Sequence, residues 1–135
     1  GLGSRIAPLS REDALNFLLH FTQSAFRYQT DGQQFGRERS LFPEETFYYP
    51  YSDCEDRAIF FSWLVRRLLK QEIVLLHYSD HVATGGRIEK EIPGSYIRTG
   101  DKRYLICDPT YRGADIGQCM PGYEKEKPRI IKLNQ

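Results

Sequence analysis

Cysteine is scarce in this sequence, and what there is lies scattered. Cys54, Cys107 and Cys119 are an odd number at wide spacing, so they build no disulfide framework, and no CxxC pair is present to hold zinc. A surplus of either charge is missing too. Nineteen basic residues against eighteen acidic leave a net charge of +1 without a basic stripe, which removes the electrostatic footprint of a nucleic-acid binder. No apolar run approaches the roughly 18 residues that a membrane span requires, and no signal-peptide pattern is visible. Internal repeats and low-complexity tracts are also lacking. What is present is 135 residues, 40% hydrophobic and 13% aromatic, which suits one globular domain with a core of its own. That domain is expected to span 1–135, with residues 1–9, opening GLGSR, as a tag remnant or linker.

Periodicity divides the chain into helices first and strands afterwards. Ser10 opens SREDALNFLLHFTQSAF with Asp13 three places on, close to a capping box. Ala14, Leu15, Leu18, Leu19 and Phe26 form an apolar stripe, which predicts a helix over about 11–26. Residues 27–53 are polar, carry two glycines and two prolines, and are expected to form a long loop. A second helix is predicted from Cys54, capped by Asp53 or Ser52, with Glu55 and Asp56 in its first turn. Its core face would be Ala58, Phe61, Leu64, Val65 and Leu68, with Arg66, Arg67 and Lys70 near the C-terminal end. Thereafter EIVLLHY, HVATGG, GSYIRTGDKRYLICD and RIIKL have strand character, and TGDK predicts a hairpin between Tyr96–Arg98 and Arg103–Cys107. The expected class is α+β, N-terminal helices packed on a mostly antiparallel sheet.

Cys54 is the first residue with chemical promise. A helix N-terminus favours a thiolate, while Asp53, Glu55 and Asp56 oppose it, so an imidazolium partner is needed. The Cys54 N–H is also a candidate donor to an oxyanion. The plain alternative is a buried, inert thiol. Of the three histidines, His20 lies between Leu19 and Phe21 and is expected to pack in the first helix. His77 ends an apolar strand, which suits a structural or surface role. His81 follows the turn signal SD and opens VATGG, whose small residues leave room for a substrate backbone. It therefore suits a base lining a cleft, against the alternative of a half-exposed strand histidine. Asp108 ends an apolar strand just before Pro109, placed either to orient an imidazole or simply to start a turn. Twenty-seven residues separate Cys54 from His81, and twenty-seven more reach Asp108.

Other groupings are weaker. His77, Asp80 and His81 suggest a metal site, but Asp80 alternates to the other strand face and no fourth ligand is suitably spaced, so none is assigned. Cys107 should face the core, and Cys119 is a loop thiol. Tyr48, Tyr49 and Tyr51 crowd ahead of Cys54; Tyr49 and Tyr51 are candidates to line a substrate groove, with packing under the loop as the alternative.

SDCEDRAIFFSWLVRRLL, YSDHVATGG and KRYLICDPTY together resemble the core of the transglutaminase-like superfamily of papain-type cysteine enzymes. The DCED start, the small residues after the histidine and the CDPTY strand end are similar to its bacterial members, over about residues 10–120. The resemblance implies a papain-like core, with Cys54 as nucleophile, His81 as general base and acid, and Asp108 as orienting carboxylate. It also implies an oxyanion-hole side chain upstream of the cysteine, for which Gln23 is the first candidate, ahead of Tyr28 and Gln29. The implied activity is hydrolysis of peptide or glutamine amides through a thioester, or transfer of the acyl group to an amine. No cofactor is expected, and no DxDxDG calcium loop is present. The expected partner is a peptide or protein substrate, with flanking domains of a longer chain and a cell-envelope or secreted location. Two rivals stand beside this reading. One is a non-catalytic binding module of a larger envelope protein, and the other a papain-type murein peptidase that would share Cys and His but not the CDPTY strand end.

Overall fold

The computed structural model describes residues 1–34 and 51–134, with side chains described for 1–25 and 53–134. The first helix, α1 (Leu2–Ile6), buries Ile6 in the main core, and Arg5 lies over the Phe17 ring at 5.5 Å. Residues expected to form a tag remnant or linker thus include a short packed helix. Helix α2 spans Arg11–Gln34, and the Ser10 hydroxyl accepts the Asp13 N–H at 3.1 Å as its N-cap. It runs well past Phe26. The extension RYQTDGQQ holds no proline, and its one glycine costs a helix only about 1 kcal/mol.

Helix α3 spans Tyr51–Leu69, starting three residues earlier than the sequence predicts. Ser52 and Asp53 lie inside the helix rather than capping it, and Cys54 is its fourth residue. Pro50 precedes it in sequence and has no N–H to donate, a natural boundary. The helix ends at Lys70, which takes a left-handed φ of 54° where glycine is commoner.

Five strands follow: β1 (Ile73–His77), β2 (Val82–Arg87), β3 (Tyr96–Thr99), β4 (Lys102–Cys107) and β5 (Arg129–Lys132). They form one sheet in the order β3-β4-β2-β1-β5, with every pairing antiparallel, so the fold is α+β. Thr99 pairs with Lys102 around Gly100–Asp101, and Gly100 supplies the positive φ of 61° that this two-residue turn requires. Strand alternation sends β1 and β4 side chains to both faces, and both faces are buried. Leu105 and Cys107 join Leu15, Leu18, Leu19, Phe61 and Val65 beneath the helices. Val74, Leu76, Tyr104 and Ile106 gather with Tyr78 and Ala83 in a second cluster.

The small residues of β2 serve this packing. A Cβ on Gly85 would sit 2.8 Å from Tyr104 Cβ, and one on Gly86 would meet Leu15. The space expected for a substrate backbone beside these two glycines is filled by the protein's own side chains, because a central strand is crossed on both faces.

Candidate active site

Three elements bring Cys54, His81 and Asp108 to one end of the sheet. Strands β1 and β2 form a hairpin in which His77 pairs with Val82, and the Tyr78 N–H donates to the His81 carbonyl at 2.8 Å. His81 therefore sits at the foot of β2. The neighbouring β4 pairs Cys107 with Thr84, so its next residue, Asp108, emerges beside His81. The Thr84 hydroxyl fixes this strand end by donating to the Cys107 carbonyl at 2.6 Å.

His81 Nε2 and Asp108 Oδ2 lie 2.6 Å apart, with side chains only 5% and 1% exposed. The other carboxylate oxygen, Oδ1, accepts the N–H groups of Thr110 at 2.9 Å and Tyr111 at 3.2 Å. Pro109 turns the chain so that these amides face back onto the carboxylate, and both oxygens of the buried acid have partners. Cys54, 2% exposed, hydrogen-bonds the same imidazole and packs among Ala58, Leu75 and Val82. Burial by itself would lower the imidazole pKa. The hydrogen bonds to Asp108 and Cys54, with the charges of both, outweigh it and push His81 up to about 10.

Two tyrosines complete the surroundings. The Tyr123 ring lies 4.9 Å from the His81 ring at 31°, and Tyr78 lies 6.2 Å away at 35°. Tyr78 and Tyr123 meet edge to face at 5.1 Å. The Tyr123 hydroxyl donates to Asp80 Oδ1 at 2.6 Å, and Glu126 accepts from the Ser79 N–H at 2.6 Å and the Ser79 hydroxyl at 3.3 Å. The loop after β4 is thereby strapped to the turn that carries His81. Sequence reasoning passed over both rings: Tyr78 adjoins the SDH motif and could have been weighed, but nothing in PGYEKEK marks Tyr123. Among the described residues the buried Tyr78 hydroxyl has no hydrogen-bond partner, and burial, then Cys119, Asp108 and Glu126, push its pKa up.

Several expectations need correction. Gln23 does not offer its amide to an oxyanion. Its Nε2 lies 3.1, 3.0 and 3.1 Å from the carbonyl oxygens of Asp108, Tyr111 and Ala114, more acceptors than its two hydrogens can serve. Its Oε1 accepts the Gly113 N–H at 3.2 Å. His20 is not packed in the core; its Nε2 meets Asp115 Oδ1 at 2.7 Å with 41% of the side chain exposed. His77 pairs with Glu55 at 3.8 Å. Tyr48 and Tyr49 lie outside the described residues, as do the side chains of Tyr28, Gln29 and Tyr51.

Cys107 is fully buried, and that burial pushes its thiol up to about 12. Cys119 is half-buried and is also pushed up, by burial and then by Glu124 and Asp108. Among the described residues no three His, Cys, Asp or Glu side chains gather as a metal-holding group, and no helix is long and apolar enough to cross a membrane. Comparison with family models, curated proteins and solved structures returns no match for this chain.

Proposed function

We propose that this chain is a transglutaminase-like cysteine hydrolase with a papain-like core, acting on peptide or glutamine amides. The observation that carries the proposal is the buried 2.6 Å bond between His81 and Asp108, with Cys54 bonded to the same ring. Asp108 occupies Nε2, which leaves Nδ1 to take the thiol proton. The thiolate attacks the amide carbonyl, and the oxyanion forms at the positive end of α3. The imidazolium then protonates the leaving amine as the C–N bond breaks, leaving a thioester on Cys54. Water, deprotonated by His81, adds to the thioester; collapse releases the acid and returns the proton to the thiolate. An amine in place of water would give acyl transfer instead.

A second reading has an observation of its own. At 2% exposure among apolar neighbours, Cys54 is as well enclosed as a structural cysteine. That favours a non-catalytic binding module, in which His81 and Asp108 merely lock the sheet end.

Iodoacetamide labelling against pH, mapped to each cysteine, separates the two. The enzyme reading expects Cys54 to react well below pH 7 and to lose that reactivity in His81→Ala, while Cys107 and Cys119 stay slow. A Cys54 that stays unreactive in the folded protein, or reacts only near pH 8.5 as an ordinary thiol does, hands the lead to the binding module.

A further inference from the structure

Gln23 is 6% exposed and uses every polar atom of its side chain on one loop, the turn from Asp108 to Ala114 that follows β4. This loop has no strand partner for its backbone, yet Asp108, Thr110 and Ala114 are buried in it. Buried carbonyls need donors, and here two buried ones, of Asp108 and Ala114, and the partly buried one of Tyr111 converge on one side-chain amide. The turn is tight: the Ala114 N–H donates to the Tyr111 carbonyl at 3.1 Å, and Gly113 takes a left-handed φ of 78°. Gln23 plugs its inside. By holding the Asp108 and Tyr111 carbonyls together, it aims the Thr110 and Tyr111 N–H groups at Asp108 Oδ1. That leaves Oδ2 directed at His81.

His20 and Asn16, one and two turns earlier on the same face of α2, hold the far end of the loop. Asn16 accepts the Ile116 N–H at 2.9 Å and donates to Asp115 at 3.2 Å, and His20 meets Asp115. Those two act on exposed or half-exposed groups beyond Ala114. Gln23 alone of the three touches the backbone of Asp108.

We infer that Gln23 is the positioning residue of this site, setting the Asp108 carboxylate against His81 across 85 residues of sequence. The inference deepens the proposed catalytic role, but its geometric part concerns only Gln23, Asp108 and His81. The requirement is specific. Glutamate has no N–H for the three carbonyls, and methionine keeps the length while removing every hydrogen bond.

The test is an NMR titration of the His81 ring in a Cys54→Ala background, where His81 and Asp108 titrate without the thiol. Gln23→Met should move the His81 midpoint down by about one pH unit or more, because a carboxylate that drifts from the imidazole supports its charge less. Asn16→Ala, which loosens the same loop beyond Asp108, should lower Tm without moving that midpoint. An unmoved midpoint in Gln23→Met, with only Tm lowered, reduces Gln23 to a structural plug and overturns the inference. If Gln23→Met fails to fold, Gln23→Asn keeps the amide but draws it back by one methylene, and the same two outcomes decide. With Cys54 restored, Gln23→Met should also shift the iodoacetamide profile of Cys54 upward in pH. A wild-type protein whose Cys54 shows no reactivity below pH 7 overturns the catalytic reading alone, since the His81 titration is read without Cys54.

Discussion

Two histidine–aspartate contacts in this molecule are nearly the same length and very different in kind. His81 meets Asp108 at 2.6 Å with both side chains enclosed, and His20 meets Asp115 at 2.7 Å with 41% and 62% of the side chains exposed. Water and salt compete with the second pair, and such contacts are worth about 0–1 kcal/mol. Around the first there is almost no solvent, so each partner depends on the other and on the Thr110 and Tyr111 amides. Distance alone does not distinguish a site from a surface contact. Enclosure and the completeness of the surrounding hydrogen bonds do.

The largest expected effect is on chemistry at the enclosed pair. Cys54→Ala and His81→Ala should each abolish amidase activity toward peptide substrates, and Asp108→Asn should lower kcat by about 10⁴-fold, since the amide favours the wrong tautomer of His81. Activity equal to wild type in any of the three would break the triad assignment. None of these is expected from His20→Ala.

Stability should divide the pairs next. His81→Ala leaves the Asp108 carboxylate buried without its partner, at an expected cost of about 3–5 kcal/mol in urea unfolding. His81 stands at an element end, directly before β2, and it is the burial of both partners that makes the cost large.

The pH dependence is smaller and signed. His81 is raised from its ordinary value of 6.5 to about 10 in the folded state. Its stabilising contribution is therefore fully present below about pH 6.5 and is lost as pH rises through about 10. Unfolding free energies measured from pH 6 to 10.5 should fall over that window, and the fall should vanish in a His81→Gln, Asp108→Asn double variant. A flat profile in the wild type would mean that the imidazole stays neutral. At the exposed pair the sign reverses. His20 and then Asn16 lower the Asp115 pKa, so that contribution is lost as pH falls below the ordinary carboxylate range near 3.9.

The smallest effect is expected from Asp115→Asn, under about 1 kcal/mol and shrinking further as ionic strength rises. A loss as large as that of His81→Ala would erase the contrast between the two pairs.

Much of the fold was legible because it rests on local patterns. The apolar stripe Ala14–Leu19 and the Ser10 cap announce α2, and TGDK places the β3–β4 turn. The pairing of His81 with Asp108 could be anticipated from an aspartate stopped by Pro109 at the end of one strand and a histidine opening another. The helix boundaries were less legible: nothing local marks the end of α2 at Gln34, and α3 starts directly after Pro50 rather than at the capping candidates Ser52 and Asp53. Gln23 was singled out for the wrong reason. A lone glutamine on a helix carries no local sign of what its amide will meet.

The sequence by itself determined the cores of the two long helices and the strands, which faces are apolar, and that a thiol, an imidazole and a carboxylate sit near the ends of three elements. Only the tertiary structure decided that His81 and Asp108 are shut away from water, that Tyr123 covers the imidazole from 42 residues away, and that Gln23 spends its amide on the Asp108 loop. The physical reason is range. Helix and strand formation follow from neighbours a few residues apart, whereas burial and hydrogen-bond partnership depend on which distant surfaces pack together.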